Sequence, residues 1–438
     1  MYNSFRSTCC DRICKIRVLP DSKMGRRVKS GNRVLTIKQN MLWNSVGSLC
    51  NLGCQWLISV LIVRLSAGYD AAGIYSLAVS LYNIFGSIAQ YRMYTYQVSD
   101  VNGENTVGEY LALRCITSTS ALLLCTVYGV LTCSASAWAS IILYAVYKTV
   151  TLVIDVFHAC DQRHHRMDLI GISLMLQGSL SLAGFVFGML LFSSLELAIV
   201  LMTIAVTIVG LAYDYPKTTK IESFRFGISA QKTKKLLIGC LPIVVAGIAS
   251  SASVSVPRQI LASCMGNAVL GGYASVAAPV AIIQMGASYV YNPLLGYFSE
   301  RYFNKDYPGF WSLFRKSLAA IIGIGFACVV ILSMFGEWLL VLVFGNSILD
   351  YTYLLLPLVV FAILTGVQWF LNDLLISVRL FKMTFISALT SLIISLITAY
   401  PLIELYGAMG VTFSGLCANA VSIGVMLFSL FGLLRESN

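Results

Sequence analysis

Long apolar stretches separated by short polar gaps fill most of this chain. About twelve stretches occur, each of about 18 residues or more, and a helix of that length crosses a hydrocarbon core of about 30 Å. The pattern therefore predicts an all-α polytopic membrane protein with about twelve transmembrane helices. We number the stretches as segments one to twelve, and they lie near residues 40–64, 71–91, 111–133, 137–160, 169–192, 195–213, 236–264, 269–298, 317–344, 350–377, 383–400 and 409–434.

The Lys and Arg residues that lie between the segments occur only in every second gap. The gaps after the odd-numbered segments hold no loop Lys or Arg, whereas acidic residues lie in or beside four of them. The other gaps and the two ends hold the basic residues, with ten in the first 40 positions and six from Lys217 to Lys235. Arg92 and Arg114 are assigned to this side as well. By the positive-inside rule, both termini are predicted to be cytoplasmic.

The composition excludes a soluble domain. Hydrophobic residues make up 58% of the chain and charged residues 11%, with a mean hydropathy of +0.80, whereas soluble domains are about 25% charged. The net charge of +11 would favour nucleic acid as the partner of a soluble protein, but here most of it belongs to the basic gaps and the tail. We therefore expect the lipid bilayer, with its anionic headgroups, as a partner and no nucleic acid.

The 13 cysteines do not indicate a disulfide framework. Eight of them lie inside apolar segments, where cysteine acts as a small hydrophobic residue. Cys10 and Cys14 lie in the amino-terminal tail, without a nearby histidine or a second cysteine pair. Such spacing does not support a metal site, so neither a metal nor another cofactor is expected.

Two halves of six segments each are predicted on either side of a basic central stretch. Segment one is too long for the core of a removable signal peptide, and the residues before it lack a small-residue cleavage site. We expect translation to start at Met24, with Met1 left open as the alternative. The predicted organisation is a basic cytoplasmic tail at 1–39, an amino-terminal lobe at 40–213, a cytoplasmic linker at 214–235 and a carboxy-terminal lobe at 236–438.

The two halves carry weak sequence similarity at equivalent places. Gly73–Ile84 matches Gly271–Ile282 after segments one and seven, and Arg163–Met167 matches Arg379–Met383 before segments five and eleven. Because six is an even number, both halves would start on the same side of the membrane and form parallel repeats with the substrate between them. This arrangement favours a transporter over a receptor.

Polar residues of segment four lie along one helical face. Tyr144, Lys148, Thr151, Asp155 and His158 follow one another at spacings of three and four residues, which align side chains on one side of a helix. A charge at the bilayer centre costs about 2.5–3.5 kcal/mol, so each should face protein or a water-filled cavity. Lys148 and Tyr144 are candidates for binding substrate. Asp155 and His158 are candidates for coupling transport to an ion.

Other segments add further candidates. Arg64 ends segment one, Arg258 follows a proline in segment seven, and Gln368 and Asp373 mark the inner half of segment ten. Together with Lys148, the two arginines would give a cavity the positive potential that suits a phosphate-bearing substrate. Gln368 is a further candidate for substrate binding, and Asp373 is a further candidate for coupling.

Simpler structural roles stay open for these charged residues. Both arginines could extend to the headgroups by snorkelling, and Lys148 could pair with Asp155 two turns away. His158 could be a satisfied histidine at the inner helix end, and Asp373 could pair locally near the cytoplasmic surface.

Prolines are concentrated in the second half of the chain. None occurs from 21 to 215. A proline removes a backbone hydrogen bond and can kink its helix, so we predict a hinge in segments seven and eight. The candidate hinge residues are Pro242, Pro257, Pro279 and Pro293.

The 23 tyrosines, against six tryptophans, exceed what headgroup belts alone require. Aromatic rings bind the apolar faces of sugars, and a phenol hydroxyl adds a hydrogen bond. Anchoring at the membrane interface explains at least half of them.

Several motifs together resemble a known family. NMLWNSVGSLCNLGCQWLISVLIVR is followed by AGIYSLAVSLYNIFGSIAQYRMYTYQVSD, and the pattern continues with Pro257-Arg258, Gly272-Tyr273 and LYGAMGVTFSG at 405–415. In order and spacing these motifs are similar to Wzx-type polysaccharide flippases of the multidrug/oligosaccharidyl-lipid/polysaccharide (MOP) exporter superfamily. The resemblance covers essentially 40–435.

Such a resemblance implies a MATE-like fold of two six-helix lobes around a central cationic cavity. It implies a flippase of the bacterial inner membrane that moves undecaprenyl-diphosphate-linked oligosaccharide from the cytoplasmic to the periplasmic face by alternating access. The product would serve O-antigen, and hence lipopolysaccharide, or capsule or exopolysaccharide synthesis. By the resemblance Arg64 and Arg258 would engage the diphosphate, with Lys148 in support. Other polysaccharide assembly proteins stay open as partners.

Other functions also stay open. A MATE-like ion-coupled exporter of drugs or metabolites would share the fold but should line its cavity with carboxylates. A membrane glycan polymerase or ligase would be an enzyme, and the short predicted outer loops argue against it, so we predict that the chain is not an enzyme. A lipid II flippase would have two extra spans, and the sequence after residue 410 has room for one span only. The sequence does not specify the sugar, the coupling ion or the oligomeric state.

Overall fold

The computed structural model describes residues 35–435, apart from residues 67, 101 and 102. Within this range every regular element is helical and no strand occurs, which confirms the all-α fold class. Most of the predicted tail, and with it the choice of start codon, lies outside the described residues. The α-helices are α1 (Ile37–Leu65), α2 (Asp70–Gln90), α3 (Met93–Ser99), α4 (Val107–Thr132), α5 (Ala135–Arg163), α6 (Met167–Phe192), α7 (Leu195–Val209), α8 (Tyr215–Ile221), α9 (Ala230–Met265), α10 (Asn267–Tyr291), α11 (Leu295–Phe303), α12 (Tyr307–Phe344), α13 (Leu355–Ser377), α14 (Phe381–Tyr406) and α15 (Ala408–Arg435).

Twelve helical stretches of the described chain are long and apolar enough to cross a membrane, in agreement with the predicted number. Their ends differ from the predicted ones because the helices continue beyond the apolar core of each segment. Helix α12, for example, begins at Tyr307 instead of 317. Segment eight is shorter than predicted, since α10 stops at Tyr291 and a 3₁₀ turn at Asn292–Leu294 follows. Pro293 therefore lies in this turn and not inside a span.

The connection between the two halves is shorter than the sequence predicts. After α7 the chain continues through a π-helix at Gly210–Asp214 into α8, and α9 already begins at Ala230. The residues between α8 and α9 lie against the first half of the chain. The ring centroid of Phe224 is 6.2 Å from those of Phe157 and Tyr215. The connection is thus attached to the first six spans.

Helices of the two halves pair in the same order. In the first half α1 packs on α6, α2 and α4 on α5, and α5 on α7. In the second half the corresponding helices repeat these pairs, because α9 packs on α14, α10 and α12 on α13, and α13 on α15. We propose that the stretches 40–213 and 236–438 are two copies of one six-helix unit, which we call the first and second lobes.

The lobes meet where α2 crosses α10, in a contact that uses equivalent residues on both sides. A Cβ atom added to Gly73 would lie 1.7 Å from the backbone oxygen of Asn267, and one added to Gly271 would lie 2.1 Å from that of Tyr69. Each glycine thus meets the residue that lies one helical turn before the other glycine. A residue with a Cβ atom would prevent this approach of the two backbones. The glycines that begin the predicted sequence repeat are therefore the ones in contact.

Successive connections between spans lie at alternate ends of the helical bundle. We call the end with the Lys- and Arg-rich connections the basic face and the other end the opposite face. Near the basic face Tyr91 donates a hydrogen bond to the carbonyl of Leu237 on α9, at 3.0 Å. Helix α1, in contrast, lies along α6 and has few neighbours in the second lobe. Its hydrogen bonds to that lobe, within the described chain, all come from Arg64 at the opposite face.

Three of the four prolines predicted as hinges lie inside unbroken helices. Helix α9 runs without a break through Pro242 and Pro257, and α10 contains Pro279 in its interior. A hinge function of these residues stays a prediction. The chain changes direction at Gly266 between α9 and α10, where φ is +87°.

A sharper break separates α2 from α3. Tyr91 and Arg92 have φ values of 44° and 55°, a left-handed conformation that costs about 1–2 kcal/mol for residues other than glycine. The surrounding contacts must offset this cost, and the break lies on the helix that touches both α9 and α10.

Candidate functional site

Helix α5 carries a lysine among tyrosine rings. The ammonium nitrogen of Lys148 lies 5.7 Å from the ring centroid of Tyr144 and 5.6 Å from that of Tyr147. On α2, Tyr75 and Tyr82 pack edge-on against Tyr144, with ring centroids 5.4 and 6.2 Å away. We call these five residues the tyrosine–lysine group.

Lys148 carries a positive charge that no carboxylate neutralises. Its side chain is partly exposed, and no Asp or Glu among the described residues lies within 4.0 Å of its Nζ. Pairing with Asp155, the structural alternative, therefore does not occur in this conformation. A cation–π contact contributes about 0.5–2 kcal/mol and leaves the N–H donors open to an anion.

The buried rings of this group hold the lysine in place. Tyr82, Tyr144 and Tyr147 are at most 5% exposed, whereas Tyr75 is partly exposed. In this conformation Lys148 and Tyr75 are the accessible members of the group, and Tyr144 lies buried against Tyr75. The predicted contact between Tyr144 and a substrate stays a prediction.

Farther along α5, four polar side chains from three helical elements form a buried network. His158 Nε2 lies 3.1 Å from Ser173 Oγ and 3.3 Å from Asp214 Oδ1. The Ser173 hydroxyl donates to Asp214 Oδ2 at 2.9 Å, and Gln177 Nε2 donates to Ser173 Oγ at 2.9 Å. The four side chains are at most 6% exposed. We call them the His158 network.

Asp214 is part of this network because the helix that carries it widens locally. Residues Gly210–Asp214 form a π-helix between α7 and α8, and π-helical turns often occur at functional sites. A Cβ atom on Gly210 would lie 2.9 Å from the side chain of Ile154, so the glycine lets this helix approach α5. The π-helix thus ends at the residue that carries the buried carboxylate, Asp214.

Asp155 connects the His158 network to open space. Its Oδ1 lies 3.8 Å from His158 Nδ1, and 39% of its side chain is exposed, although protein atoms surround it on almost all sides. We interpret this exposed surface as the wall of an internal cleft. Arg114 lies near enough to attract Asp155. Its Nη1 donates to the carbonyls of Ala89 and Gln90, at 2.8 and 2.6 Å.

Arg64 lies at the opposite face and joins the two lobes. Its Nε donates to the carbonyl of Val343 at 2.8 Å, and its Nη2 donates to that of Leu342 at 2.6 Å. These carbonyls end α12 and lack partners within the helix, and a positive charge there also complements the helix dipole. Arg64 therefore caps α12. In this conformation the guanidinium is bonded to these carbonyls, so its contact with a diphosphate stays a prediction.

Tyr69 adds a second contact between the lobes at this face. Its hydroxyl lies 3.2 Å from Ser347 Oγ, and its ring packs edge-on against Tyr351 at 5.2 Å. Burial raises the pKa of the Tyr69 phenol, which keeps it a neutral hydrogen-bonding group. We call Arg64, Tyr69, Gly73 and Gly271 the opposite-face seal.

Arg258 carries a second uncompensated charge, in the second lobe. It is partly exposed, and no carboxylate of the described chain lies within 4.0 Å of it. Its neighbour Gln259 accepts a hydrogen bond from Tyr128 of the first lobe at 3.0 Å. No contact between Arg258 and Lys148 occurs among the hydrogen bonds and ion pairs of the described residues, so a joint role of the two cations stays a prediction.

Gln368 and Asp373 make contacts within the second lobe. Gln368 Nε2 donates to Ser422 Oγ at 3.0 Å, which joins α13 to α15. The Tyr291 hydroxyl donates to Asp373 Oδ2 at 2.8 Å, which joins α10 to α13. Asp373 is thus paired locally, as the structural alternative predicted. The substrate-binding role of Gln368 and the coupling role of Asp373 stay predictions.

Two residues of the site, Asp214 and Arg114, were not identified from the sequence. Asp214 ends the apolar run VGLAYD and was assigned to the linker, and Arg114 was assigned to the basic side. The structure places both inside spans, and each is 1% exposed. A signal existed for Asp214, since the proline two positions later fits the first turn of a continuing helix. No sequence signal distinguishes Arg114 from an arginine at the membrane surface.

One cluster near the basic face has the residue types of a metal site. Cys160, His164 and Glu222 place potential ligand atoms within 4.8 Å of one another. However, Arg163 forms an ion pair with the same Glu222 oxygen that faces the thiol. A guanidinium at that oxygen opposes a cation, so we interpret the pair as the attachment of the central connection to α5.

Comparison with known sequences finds one curated relative at low identity. No protein-family model matches the chain. The capsular polysaccharide biosynthesis protein CapF of Staphylococcus aureus is 24% identical over 377 residues, which is 85% of this chain and 93% of that protein.

Comparison with solved structures identifies the fold. The lipid II flippase MurJ, in an inward closed conformation, matches with a TM-score of 0.72 at 12% identity, over 89% of this chain and 87% of that chain. A mutant of the Vibrio cholerae MATE transporter VcmN gives 0.59 at 15% identity, over 92% and 97%. A MOP-superfamily transporter from Pyrococcus furiosus gives 0.58 at 14%, over 91% and 95%. The chain therefore has the fold of MOP-superfamily transporters, as the MATE-like prediction requires.

Proposed function

We propose that this protein is a flippase for a lipid-linked oligosaccharide. The substrate would be an undecaprenyl-diphosphate-linked repeat unit, moved from the cytoplasmic to the periplasmic face of a bacterial inner membrane. The similarity to a capsular polysaccharide biosynthesis protein favours capsule over O-antigen or exopolysaccharide as the product. The similar solved structures are transporters and flippases, which agrees with a protein that is not an enzyme.

The observation that carries the proposal is the uncompensated charge of Lys148. An unpaired ammonium within a span is unfavourable unless it faces water or binds an anion. The tyrosine rings fix its position, so it can meet a phosphate oxygen without first breaking an ion pair. Arg258 would supply a second cation from the other lobe, and Tyr75 would contact the first sugar through its exposed edge. In this way the diphosphate, which all such lipids share, is recognised apart from the sugars.

The shape of the molecule supports entry from the basic face. The opposite-face seal joins the lobes on one side, whereas α1 contacts the second lobe little along the rest of its length. We infer that the basic face is cytoplasmic, as the positive-inside rule requires. The headgroup would then enter between the lobes while the polyprenyl chain stays in the bilayer. The opposite-face seal would then open while the basic face closes, and the headgroup would be released at the opposite face.

A deletion strain gives the direct test. The undecaprenyl-linked lipids are extracted from cells without this protein, and mass spectrometry identifies the pool on each membrane face. Complete repeat units on the cytoplasmic face support flipping and reveal the sugar. Units that accumulate on the outer face instead would place the defect after translocation and would favour the polymerase alternative.

A second function, ion-coupled export of drugs or metabolites, is favoured by one observation. The first lobe contains two carboxylates within its spans, the partly exposed Asp155 and the buried Asp214, as an exporter of cations would need. The uncompensated Lys148 and Arg258 would repel such a substrate. Unchanged susceptibility of the deletion strain to cationic dyes and drugs, together with loss of surface glycan, would exclude this function.

A further inference from the structure

The His158 network does not take part in the substrate binding proposed above. Around the His158 ring lie three carboxylates, of which Asp155 and Asp161 are on α5 and Asp214 is on the π-helix. Asp161 accepts a hydrogen bond from Thr218 with one oxygen, at 3.2 Å, while its buried Oδ2 has no partner. The cluster therefore has more hydrogen-bond acceptor atoms than donor protons.

The charges of the neighbouring elements do not neutralise this cluster. Helix α4 contributes Arg114 and α5 contributes Lys148, and both lie near enough to attract Asp155. Arg163 is paired with Glu222, and Arg166 is paired with Asp168. The other titratable groups near the cluster include Tyr94 on α3, Tyr213 on the π-helix, Tyr82 on α2 and Cys160 on α5.

A count of formal charges shows what the cluster lacks. Arg114 and Lys148 against three carboxylates leave one negative charge when His158 is neutral. A buried uncompensated charge is unfavourable by several kcal/mol. One proton on the imidazole removes this excess. The arrangement thus favours proton uptake from the cleft.

We propose that His158, Asp214 and Asp155 form a proton-binding relay in the first lobe, which supplies the driving ion for transport. The claim that the relay drives transport rests on the proposed function. The claim that these residues bind a proton does not. A proton from water in the cleft binds the Asp155 carboxylate and passes from there to His158 Nδ1. The proton on Nε2 then passes to Asp214 Oδ1, and release follows the reverse path. Only O–H and N–H bonds form and break, and Asp155 returns to its charged form after each transfer.

The geometry permits both transfers. The gap of 3.8 Å between Asp155 Oδ1 and His158 Nδ1 closes with a small side-chain rotation or one bridging water. The gap of 3.3 Å between His158 Nε2 and Asp214 Oδ1 is already close to hydrogen-bond distance. Ser173 holds the carboxylate toward the ring. A sodium ion fits less well, because an imidazole lies at the centre of the cluster and the Ser173 hydroxyl is already bonded to Asp214.

The relay is connected to the helix that joins the lobes. Arg114 is attracted by Asp155 and also holds the carbonyls of Ala89 and Gln90. These carbonyls end α2 immediately before its left-handed break, and α2 touches both α9 and α10. Protonation of Asp155 removes the charge that competes for the guanidinium and strengthens its hold on α2. Proton occupancy and the relative position of the lobes would therefore depend on each other.

Histidine NMR tests the relay without any substrate. The chain has three histidines, and His164 and His165 lie exposed in one connection. Protein labelled with ¹⁵N-histidine, purified into lipid nanodiscs, is titrated between about pH 5 and 9, a range centred near the usual histidine value. We expect the His158 signal to titrate within this range. Asp214→Asn removes a charge that stabilises the imidazolium, so its midpoint should fall by about one pH unit or more.

Controls separate the relay from a purely structural network. Asp168→Asn removes a carboxylate of the same lobe that pairs with Arg166, and it should leave the His158 titration unchanged. If Asp214→Asn does not fold, Ser173→Ala should still lower the midpoint by a smaller amount. A His158 signal that stays in one protonation state throughout, or one that responds to exchange of sodium for choline but not to pH, would overturn the proposal.

The cellular readout keeps the two proposals apart. Cells with Asp214→Asn are expected to accumulate lipid-linked repeat units to the level of the deletion strain. A shifted His158 titration with normal lipid pools in both Asp214→Asn cells and the deletion strain would leave the proton site intact and refute the flippase function. A shifted titration with normal pools in Asp214→Asn cells alone would mean that the relay does not drive transport.

Discussion

At the scale of the residue, the function depends on which buried charges have partners. Glu222 is paired with Arg163, and Lys148 is not paired with any carboxylate of the described chain. Both are ordinary ionisable residues by sequence. Their difference arises from helices distant along the chain, because the rings that surround Lys148 come from α2 as well as α5. An uncompensated cation within a span is what the proposed flippase would use to bind a phosphate.

Replacement of Lys148 tests this interpretation. Lys148→Ala should lower the apparent affinity for the lipid-linked substrate about 10- to 100-fold, since a charged hydrogen bond contributes about 1.5–3 kcal/mol. Lys148→Arg keeps the charge and should retain most of the activity. The measurement is surface glycan at limited expression, normalised to the amount of protein in the membrane. The control is Lys382→Ala, which removes an exposed lysine at the start of α14; equal losses in both alanine variants would contradict a specific role.

Arg258 provides the second residue-scale prediction. Arg258→Ala should leave the protein folded in the membrane and abolish surface glycan, whereas Arg258→Lys should retain part of it. The reason is that a guanidinium can hold two phosphate oxygens at once and an ammonium cannot. Normal glycan from the alanine variant at wild-type protein levels would exclude Arg258 from the substrate site.

At the scale of the element, close helix contacts determine where the lobes can move. Gly73 and Gly271 allow the backbones of α2 and α10 to touch, and the contact lies at the opposite face. Opening of that face requires these backbones to separate. The contact is therefore a property of the closed state, and a side chain placed there should act on the balance between two conformations more than on the fold.

The variant Gly73→Ala should favour the conformation in which the opposite face is open. Its Cβ atom would lie 1.7 Å from the Asn267 oxygen, and such an overlap cannot be relieved without separating the helices. A cysteine introduced at Thr151, next to Lys148, should then react faster with an impermeant maleimide added from outside. The matched control is Gly53→Ala, because nothing lies within 4 Å of a Cβ atom at Gly53. Equal labelling rates in the two variants would show that the seal is not the barrier.

The central connection is also an element with a defined position. Phe224→Ala removes a partly buried ring that packs on α5 and α8, and it should reduce stability by about 1–2 kcal/mol, less than full burial of a Phe provides. Phe226→Ala, at a side chain that is 66% exposed, should have almost no effect. Thermal unfolding in detergent and the rate of proteolysis between α8 and α9 measure both. Equal thermal stability and equal proteolysis rates of the two variants would mean that the connection between α8 and α9 does not pack on the first lobe.

The sequence predicted the elements better than the site, for a physical reason. Hydropathy reports the part of each helix that lies in the hydrocarbon, and so it predicts the number of spans but not where their polar ends stop. Asp214 lies in such a polar end and was assigned to the linker, and Arg114 lies near the end of segment three and was counted with the basic side. Lys148, near mid-span, was identified because a charge there has no surface to reach. Contacts such as that of Arg64 with α12 depend on the packing of distant helices, which no local pattern reports.

At the scale of the whole molecule, the two lobes are joined differently on their two faces. The opposite face has backbone contact at two glycines, the Arg64 cap and the contact of Tyr69 with Ser347. Toward the basic face, α2 still contacts α9 through Tyr91, while α1 remains close to its own lobe. A rigid-body rotation about the α2–α9 contact would open one face as it closes the other. Transport by alternating access requires such a rotation.

Cross-linking of the opposite face should therefore stop transport without unfolding the protein. Cysteines at Tyr69 and Ser347, whose side-chain oxygens lie 3.2 Å apart in different lobes, can be joined by a short bis-maleimide. We expect the joined protein to lose at least about 90% of its flipping activity, because the release state is inaccessible. The control pair is Ser134 and Ser136, which lie 3.0 Å apart within one lobe and should tolerate the same reagent. Full activity of the joined Tyr69–Ser347 variant would show that the lobes need not separate at this face, and the substrate would then have to leave by another route.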